Sequence, residues 1–216
     1  MQAIGSGFNA AENFQNGNYL AGALDIVGVL GNAFQMARAC FVAGTPIQVP
    51  SGSKPIEELK GYDKFGDDCD YVLSRNEFDP DGLVVARRVL QTFVRVSPVL
   101  NLHVGGQVIG TTAEHPFYAA DKGWIPAAEL VIGDTVLLKS GGWMRVDGLA
   151  QSGRVETVYN VEVEGDHTYF VGEAEWGFSV WAHNAYADDL ASMNIKGWKK
   201  GRKDFCGGNR LKLYHR

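Results

Sequence analysis

Six residues in this 216-residue chain have types and an order that admit backbone-breaking chemistry. They are Cys40, the pair Thr112 and His115 in "GTTAEHPFY", His167 in "VEVEGDHTYF", and His183 beside Asn184 in "FSVWAHNAY". A thiol at the first residue of a domain can attack the carbonyl before it, here that of Ala39–Cys40, through a five-membered ring. The product is a thioester. The step needs a proton for the departing amide nitrogen and donors for the oxyanion. An Asn side-chain amide can attack its own peptide carbonyl, close a succinimide and break the bond to the next residue, here Asn184–Ala185. Blander readings stand beside these. A cysteine is often a small buried hydrophobe, a His before a Pro is often structural, and a His-Asn pair can simply end a strand.

The elements around these residues read as β. Residues 1–39 are rich in Ala, Leu, Phe and Met without alternation, which predicts a helical segment weakened by Gly22, Gly28 and Gly31. From Cys40 to Asn184 the apolar residues recur with period two. "VLNLHV" and "QVIGTT" flank Gly105-Gly106 as a hairpin, and "TVLLKSGGWMRVDG" predicts another around Gly141-Gly142. "VYNVEVEG" alternates as a further strand. Many short strands with glycine turns define an all-β domain. Pro116 disfavours helix at His115 and puts that imidazole in a turn. The stretches "PIEELKGYD" (55–63) and "PAAELVIGD" (126–134) both read P-x-x-E-L-x-x-x-D, 71 residues apart. That repeat predicts a duplicated β-unit in one pseudo-symmetric domain.

Composition narrows the rest. The chain is 45% hydrophobic and 21% charged, with a formal net charge of −5, which is not the balance of a nucleic-acid binder. The charge is uneven: residues 186–216 hold eight basic and three acidic residues, a basic tail on an acidic body. Such a tail suits an acidic surface or nucleic acid, or is a solvated arm. Three cysteines at wide spacing, Cys40, Cys69 and Cys206, make neither a disulfide framework nor a zinc site. No metal or cofactor is expected. The acidic stretch 61–82, with seven Asp and Glu, matches no calcium-loop spacing and is predicted to be a solvated loop. No basic segment leads into an apolar run at the N-terminus, so no signal peptide is expected. "LAGALDIVGVLGNAF" (20–34) is too short and too broken by Asp25 and glycines to span a membrane.

Taken in order, "CFVAGTPIQVPSGSKPIEELKGYD", "GTTAEHPFY" and "VYNVEVEGDHTYFV…VWAHN" resemble the sequence blocks of the Hint superfamily of inteins, hedgehog autoprocessing domains and bacterial intein-like domains. The "HTYFVG…HN" ending most resembles the Hint domains of bacterial polymorphic toxins, which lie between a delivery protein and a C-terminal toxin module. The resemblance implies a horseshoe-like, pseudo-two-fold β domain over 40–184, a helical segment over 1–39 before it and a short released tail over 185–216. It implies Cys40 as N-terminal nucleophile, Thr112 and His115 as the pair that positions and protonates the Ala39–Cys40 amide, and His183 as the histidine that polarises the Asn184 carbonyl. Asn184 is then the residue that cyclises, assisted by His167. The substrate is the chain's own flanking polypeptide, the partner a larger carrier, and the compartment a cytoplasmic stage before export in a secreted toxin system.

Two departures qualify this. Splicing requires Cys, Ser or Thr after the Asn, and this chain has Ala185, so cutting is expected and joining is not. Asn160 stands where many inteins carry an acid that couples the two cuts. An inactive Hint scaffold tethering a toxin to its carrier, and a cysteine hydrolase acting in trans through Cys40 and His115, remain the other readings.

Overall fold

The computed structural model describes residues 39–62 and 68–184. The helical segment expected before Cys40, apart from Ala39, and the basic tail 185–216 lie outside the described residues. In chain order the strands are β1 (Phe41–Val42), β2 (Pro46–Val49), β3 (Gly52–Pro55), β4 (Tyr71–Ser74), β5 (Val85–Val104), β6 (Gln107–Thr111), β7 (Pro116–Ala119), β8 (Gly123–Pro126), β9 (Thr135–Leu137), β10 (Trp143–Val163), β11 (Thr168–Glu173) and β12 (Phe178–His183). They join in one antiparallel sheet system in which β5 and β10 pair along most of their length, bending at register shifts near Gly148, Val155 and Val163.

The two predicted hairpins form for the reasons their glycines give. Val104 pairs with Gln107 across Gly105 and Gly106, whose φ values are 56° and 79°. A two-residue turn with both φ positive matches the twist of the strands it joins. Trp143 pairs with Leu137 across the Gly141-Gly142 turn, where Gly141 has φ 84°.

The internal repeat is visible in the backbone. Ile56–Glu58 and Ala127–Glu129 each form one 3₁₀ turn. The prolines before them have φ, ψ of −55°, 138° and −56°, 147°, and the leucines after them −67°, 137° and −68°, 142°. Ile56 and Leu59 are buried, as are Ala127 and Leu130. The likeness extends backwards. β2 and β3 pair Pro46 with Pro55, and β7 and β8 pair Pro116 with Pro126. Ile56 N–H donates to the Thr45 carbonyl at 2.9 Å, and Ala127 N–H to that of His115 at 2.8 Å. Thr45 and His115 are therefore the same position in two copies of one unit. The β7–β8 connection has one residue more than the β2–β3 connection, which turns an offset of 70 at the prolines into 71 at the motif.

Between the two units lies the β11–β12 hairpin. β11 pairs with β2 at Val171↔Ile47, and β12 with β7 at Ala182↔Phe117. The hairpin is buried on both faces, so its apolar run is nearly continuous rather than alternating. Tyr169, Val171, Val180 and Ala182 enter the main core with Phe41 and Phe117, while Phe170 and Trp181 pack on the other side with Leu137. Gly172 permits this close layering. Its φ is 142°, its carbonyl accepts Gln48 Nε2 at 2.7 Å, and a Cβ would stand 2.7 Å from Ser179 Cα. Gly172→Val is expected to cost at least about 1–3 kcal/mol of stability, read as the denaturant midpoint of unfolding.

The acidic stretch 61–82 differs from the solvated loop predicted. It contains β4, which pairs with β5 from Tyr71↔Arg88 to Ser74↔Val85. Four residues of alternation among seven acids are too short a signal to read as a strand. Arg75 is buried, with its guanidinium carbon 5.4 Å from the rings of both Phe170 and Trp181, and donates to the Gly82 and Lys139 carbonyls. The acids divide. Asp68 is exposed, Asp70 accepts from Lys54 Nζ and the Lys60 N–H, and Glu77 turns inward.

Candidate active site

Cys40 sits at the start of β1, fully buried with Ala39, against Val99 and Val158. β1 is wedged between β6 (Phe41↔Thr111) and β10 (Phe41↔Tyr159), which fixes the peptide just before it. The Cys40 N–H is the nitrogen side of the Ala39–Cys40 bond, and it donates to Thr112 Oγ1 at 3.1 Å. The Cys40 carbonyl accepts the Thr112 N–H at 2.9 Å and Thr111 Oγ1 at 3.1 Å. Thr112 thus grips this residue from both sides. One turn later, the His115 N–H closes onto the Thr112 carbonyl at 3.1 Å.

His115 is enclosed by aromatic rings, with centroids of Phe41 at 4.0 Å, Phe117 at 5.6 Å and Tyr169 at 6.3 Å. Neither ring nitrogen has a hydrogen-bond partner among the described residues. Burial above all, then the neighbouring His183, holds its pKa well below the ordinary value; the Cys40 backbone acts the other way, and Arg95 adds to the lowering. The imidazole is therefore neutral at neutral pH and able to accept a proton. Burying it neutral has a consequence for stability. The unfolded chain binds a proton near pH 6.5 and the folded chain does so only at lower pH. This group's contribution is therefore complete above about pH 6.5 and is lost as pH falls through that value toward the folded pKa. His115→Phe is expected to remove up to about 1.4 kcal/mol per pH unit of acid-side slope, measured by denaturant unfolding between neutral and mildly acidic pH.

The second site is built by the central hairpin. Thr168 pairs with His183, and the same register sets His167 opposite Asn184, whose N–H donates to the His167 carbonyl at 2.9 Å. His167 takes φ 53°, a left-handed conformation uncommon for a residue with a side chain. Across β7, Ala182 stands opposite Phe117, two residues before Asn184 and two after His115. Hydrogen bonds thus link Cys40 to Thr112 and Thr112 to His115 at one end, and Asn184 to His167 at the other. Asn184 is buried, and neither Oδ1 nor Nδ2 of its amide has a hydrogen-bond partner among the described residues. His183 is buried with Nε2 2.5 Å from Glu77 Oε2, its ring 5.0 Å from that of Trp124. Ala185 lies outside the described residues.

Of the six residues singled out in the sequence, hydrogen bonds join Cys40, Thr112 and His115, and the β11–β12 hairpin holds His167, His183 and Asn184 together. Four others were not singled out. Arg95 on β5 pairs with Glu114, the third residue of the T-x-x-H block. Burial opposes the Arg95 charge, but Glu114 and then Cys40 outweigh it and raise its pKa. Tyr169 is buried, and burial followed by the charge of Cys40 pushes its pKa well up. Its hydroxyl donates to Asn160 Oδ1 at 2.7 Å, and that oxygen also accepts the Val161 N–H at 2.8 Å. Asn160 therefore ties Tyr169 on β11 to β10. Glu77 is the fourth. Glu114 and Tyr169 lie inside the quoted blocks; Arg95 and Glu77 carried no sequence signal. Cys40 and Cys69 are both thiols that take part in no disulfide among the described residues. No group of His, Cys, Asp and Glu able to hold a metal occurs among the described residues.

An all-β unit of two repeated halves, with Cys40 just before its first strand and His183-Asn184 at the end of its last, has the architecture of the Hint class. The chain belongs to the pretoxin HINT domain family, whose match runs over residues 47–185. The solution structure of a bacterial intein-like domain from Clostridium thermocellum is 36% identical and superposes with a TM-score of 0.57, covering 67% of this chain and 98% of that one. A DnaB intein from Synechocystis sp. shares the fold at 21% identity, TM-score 0.55, over 68% of this chain and 99% of its own. The Ssp DnaB mini-intein variant M86 does so at 20% identity, TM-score 0.55, over 68% and 94%. No curated protein matches the chain.

Proposed function

We propose that this domain cuts its own backbone in a single turnover and releases the segment that follows Asn184. The observation that carries the reading is the Asn184 amide, buried yet without a hydrogen-bond partner among the described residues. An unsatisfied buried amide costs about 1–3 kcal/mol, and such costs gather at functional sites. Its nitrogen attacks the Asn184 carbonyl carbon, the bond to Ala185 breaks, and the departing amine leaves with a proton. His183 and His167 serve this cut.

At the other end, Cys40 Sγ attacks the Ala39 carbonyl carbon and the Ala39–Cys40 C–N bond breaks. Ala39 becomes a thioester on Sγ, and the thiol proton passes through His115 to the Cys40 nitrogen held by Thr112. With Ala185 after the Asn there is no downstream nucleophile, so the thioester goes to water or an added thiol and the flanks separate. The released piece, 185–216, is basic, and the carrier is the polypeptide before Cys40.

Intact mass of purified chain over days, with and without thiol, tests this. Fragments ending at Asn184 and at Ala39 are expected. A chain that keeps only its full-length mass overturns the reading and favours a Hint scaffold that tethers without cutting, a reading for which Asn160 in place of an acid speaks.

A further inference from the structure

The carboxylate on His183 comes from the acidic stretch 61–82, outside every motif block. Glu77 is held in three ways. Trp124 Nε1 donates to its backbone carbonyl at 3.0 Å. Arg75, two residues before it, bonds the Gly82 carbonyl through Nε at 3.0 Å and so closes the loop across Glu77. Thr168 Oγ1 donates to the Arg75 carbonyl at 2.5 Å, and Ser74 Oγ to that of Thr168 at 2.7 Å. Thr168 is the register partner of His183. The loop bearing Glu77 is thus stapled directly across from the imidazole it touches. Both side chains are largely shielded, with 12% of Glu77 and 2% of His183 exposed.

A carboxylate only accepts hydrogen bonds, so the proton between Glu77 Oε2 and His183 Nε2 belongs to the ring nitrogen. In the neutral ring Nδ1 is then the nitrogen that accepts, and it has no hydrogen-bond partner among the described residues. We infer that Glu77 is a positioning residue for the Asn184 step. It fixes His183 in the tautomer with the proton on Nε2, leaving Nδ1 as base, and it stabilises the imidazolium formed during the reaction. This rests on the cleavage reading above and deepens it. His183 Nδ1 takes up, directly or through a water, the proton that Asn184 Nδ2 loses as that nitrogen bonds to the Asn184 carbonyl carbon. It returns the proton to the Ala185 nitrogen as the Asn184–Ala185 bond breaks, so no proton is gained or lost overall. The logic is that of a base oriented by a buried acid, and it changes the part expected of His183 from polarising a carbonyl to carrying a proton.

The test has two arms on the full chain. In the first, Glu77→Gln, which keeps shape and an acceptor but removes the charge, is compared with wild type for both cuts by mass. Cleavage after Asn184 is expected to slow at least tenfold, while thiol-induced cleavage at Ala39–Cys40 stays within about twofold, as it would not if the fold were damaged. In the second, Asn184→Ala keeps the bond after residue 184 whole, and long-range ¹H–¹⁵N correlation of the His183 ring reads which nitrogen is protonated. The proton is expected on Nε2 while Glu77 is present, and in a mixture of tautomers once Glu77→Gln is added. Wild-type speed after Asn184 in Glu77→Gln, or a proton on Nδ1 in the presence of Glu77, overturns the inference. Wild type that never cuts overturns the cleavage reading instead, and the ring spectrum still decides the tautomer.

Discussion

Asn184→Ala leaves the bond to residue 185 intact over days, while thiol-induced cleavage at Ala39–Cys40 continues at the wild-type rate. The expected effect is all or none, because in the proposed reaction the replaced nitrogen is the attacking atom. The folded chain has little to lose by the change. The amide makes no hydrogen bond among the described residues, and the Asn184 N–H to His167 contact is backbone and survives. Truncation therefore removes an unsatisfied polar group that costs about 1–3 kcal/mol, against a small cavity term. Unfolding midpoints equal to or above wild type, together with loss of the cut, would show reactivity held at the expense of stability. Mass spectrometry of the two ends separates the outcomes. A product of Asn184→Ala that still ends at the substituted residue would mean that water or another side chain does the cutting.

The second large effect belongs to Cys40 and the cation beside it. Cys40→Ala removes all thioester chemistry, so hydroxylamine no longer captures residues 1–39 as a hydroxamate, while the cut after Asn184 persists. Arg95 makes the finer distinction. Burial disfavours a thiolate, and the positive charge of Arg95, which Cys40 itself helps to hold, favours it. Arg95→Met keeps most of the stem and removes the charge. Alone it strands Glu114, whose side chain is 11% exposed, and breaking a buried pair costs about 3–5 kcal/mol. Pairing it with Glu114→Gln removes the stranded charge. The double variant is expected to recover stability but to form the hydroxamate at least tenfold more slowly than wild type. Recovery of both would confine Arg95 to a structural role. The separation of the two ends rests on the architecture, since Cys40 is held by β1, β6 and β10, and Asn184 by the hairpin that follows β10.

Much of this protein was legible from residue order. Alternation between Cys40 and Asn184 specifies strands because side chains on a strand point to opposite faces in turn. Gly105-Gly106 and Gly141 specify turns because only glycine enters positive φ without strain. The two P-x-x-E-L-x-x-x-D stretches specify a repeat because each proline fixes one dihedral ahead of a single 3₁₀ turn. Asp63, the last residue of the first copy, lies outside the described residues. What was hidden is whatever depends on pairing between distant strands. No local pattern marks Arg95, in the middle of a 20-residue strand, as the neighbour of Cys40. Nor does one mark Glu77 among seven acids as the one facing His183. The repeat did not reveal that Thr45 and His115 occupy equivalent turns, with a hydroxyl in one copy and an imidazole in the other. By itself the sequence determined most of the strands between Cys40 and Asn184, the repeat and the candidate side chains, since these follow from local sterics and functional groups. Only the tertiary structure decided which charges face them and which atoms are left unpartnered, because the strand register brings together residues as far apart as Glu77 and His183.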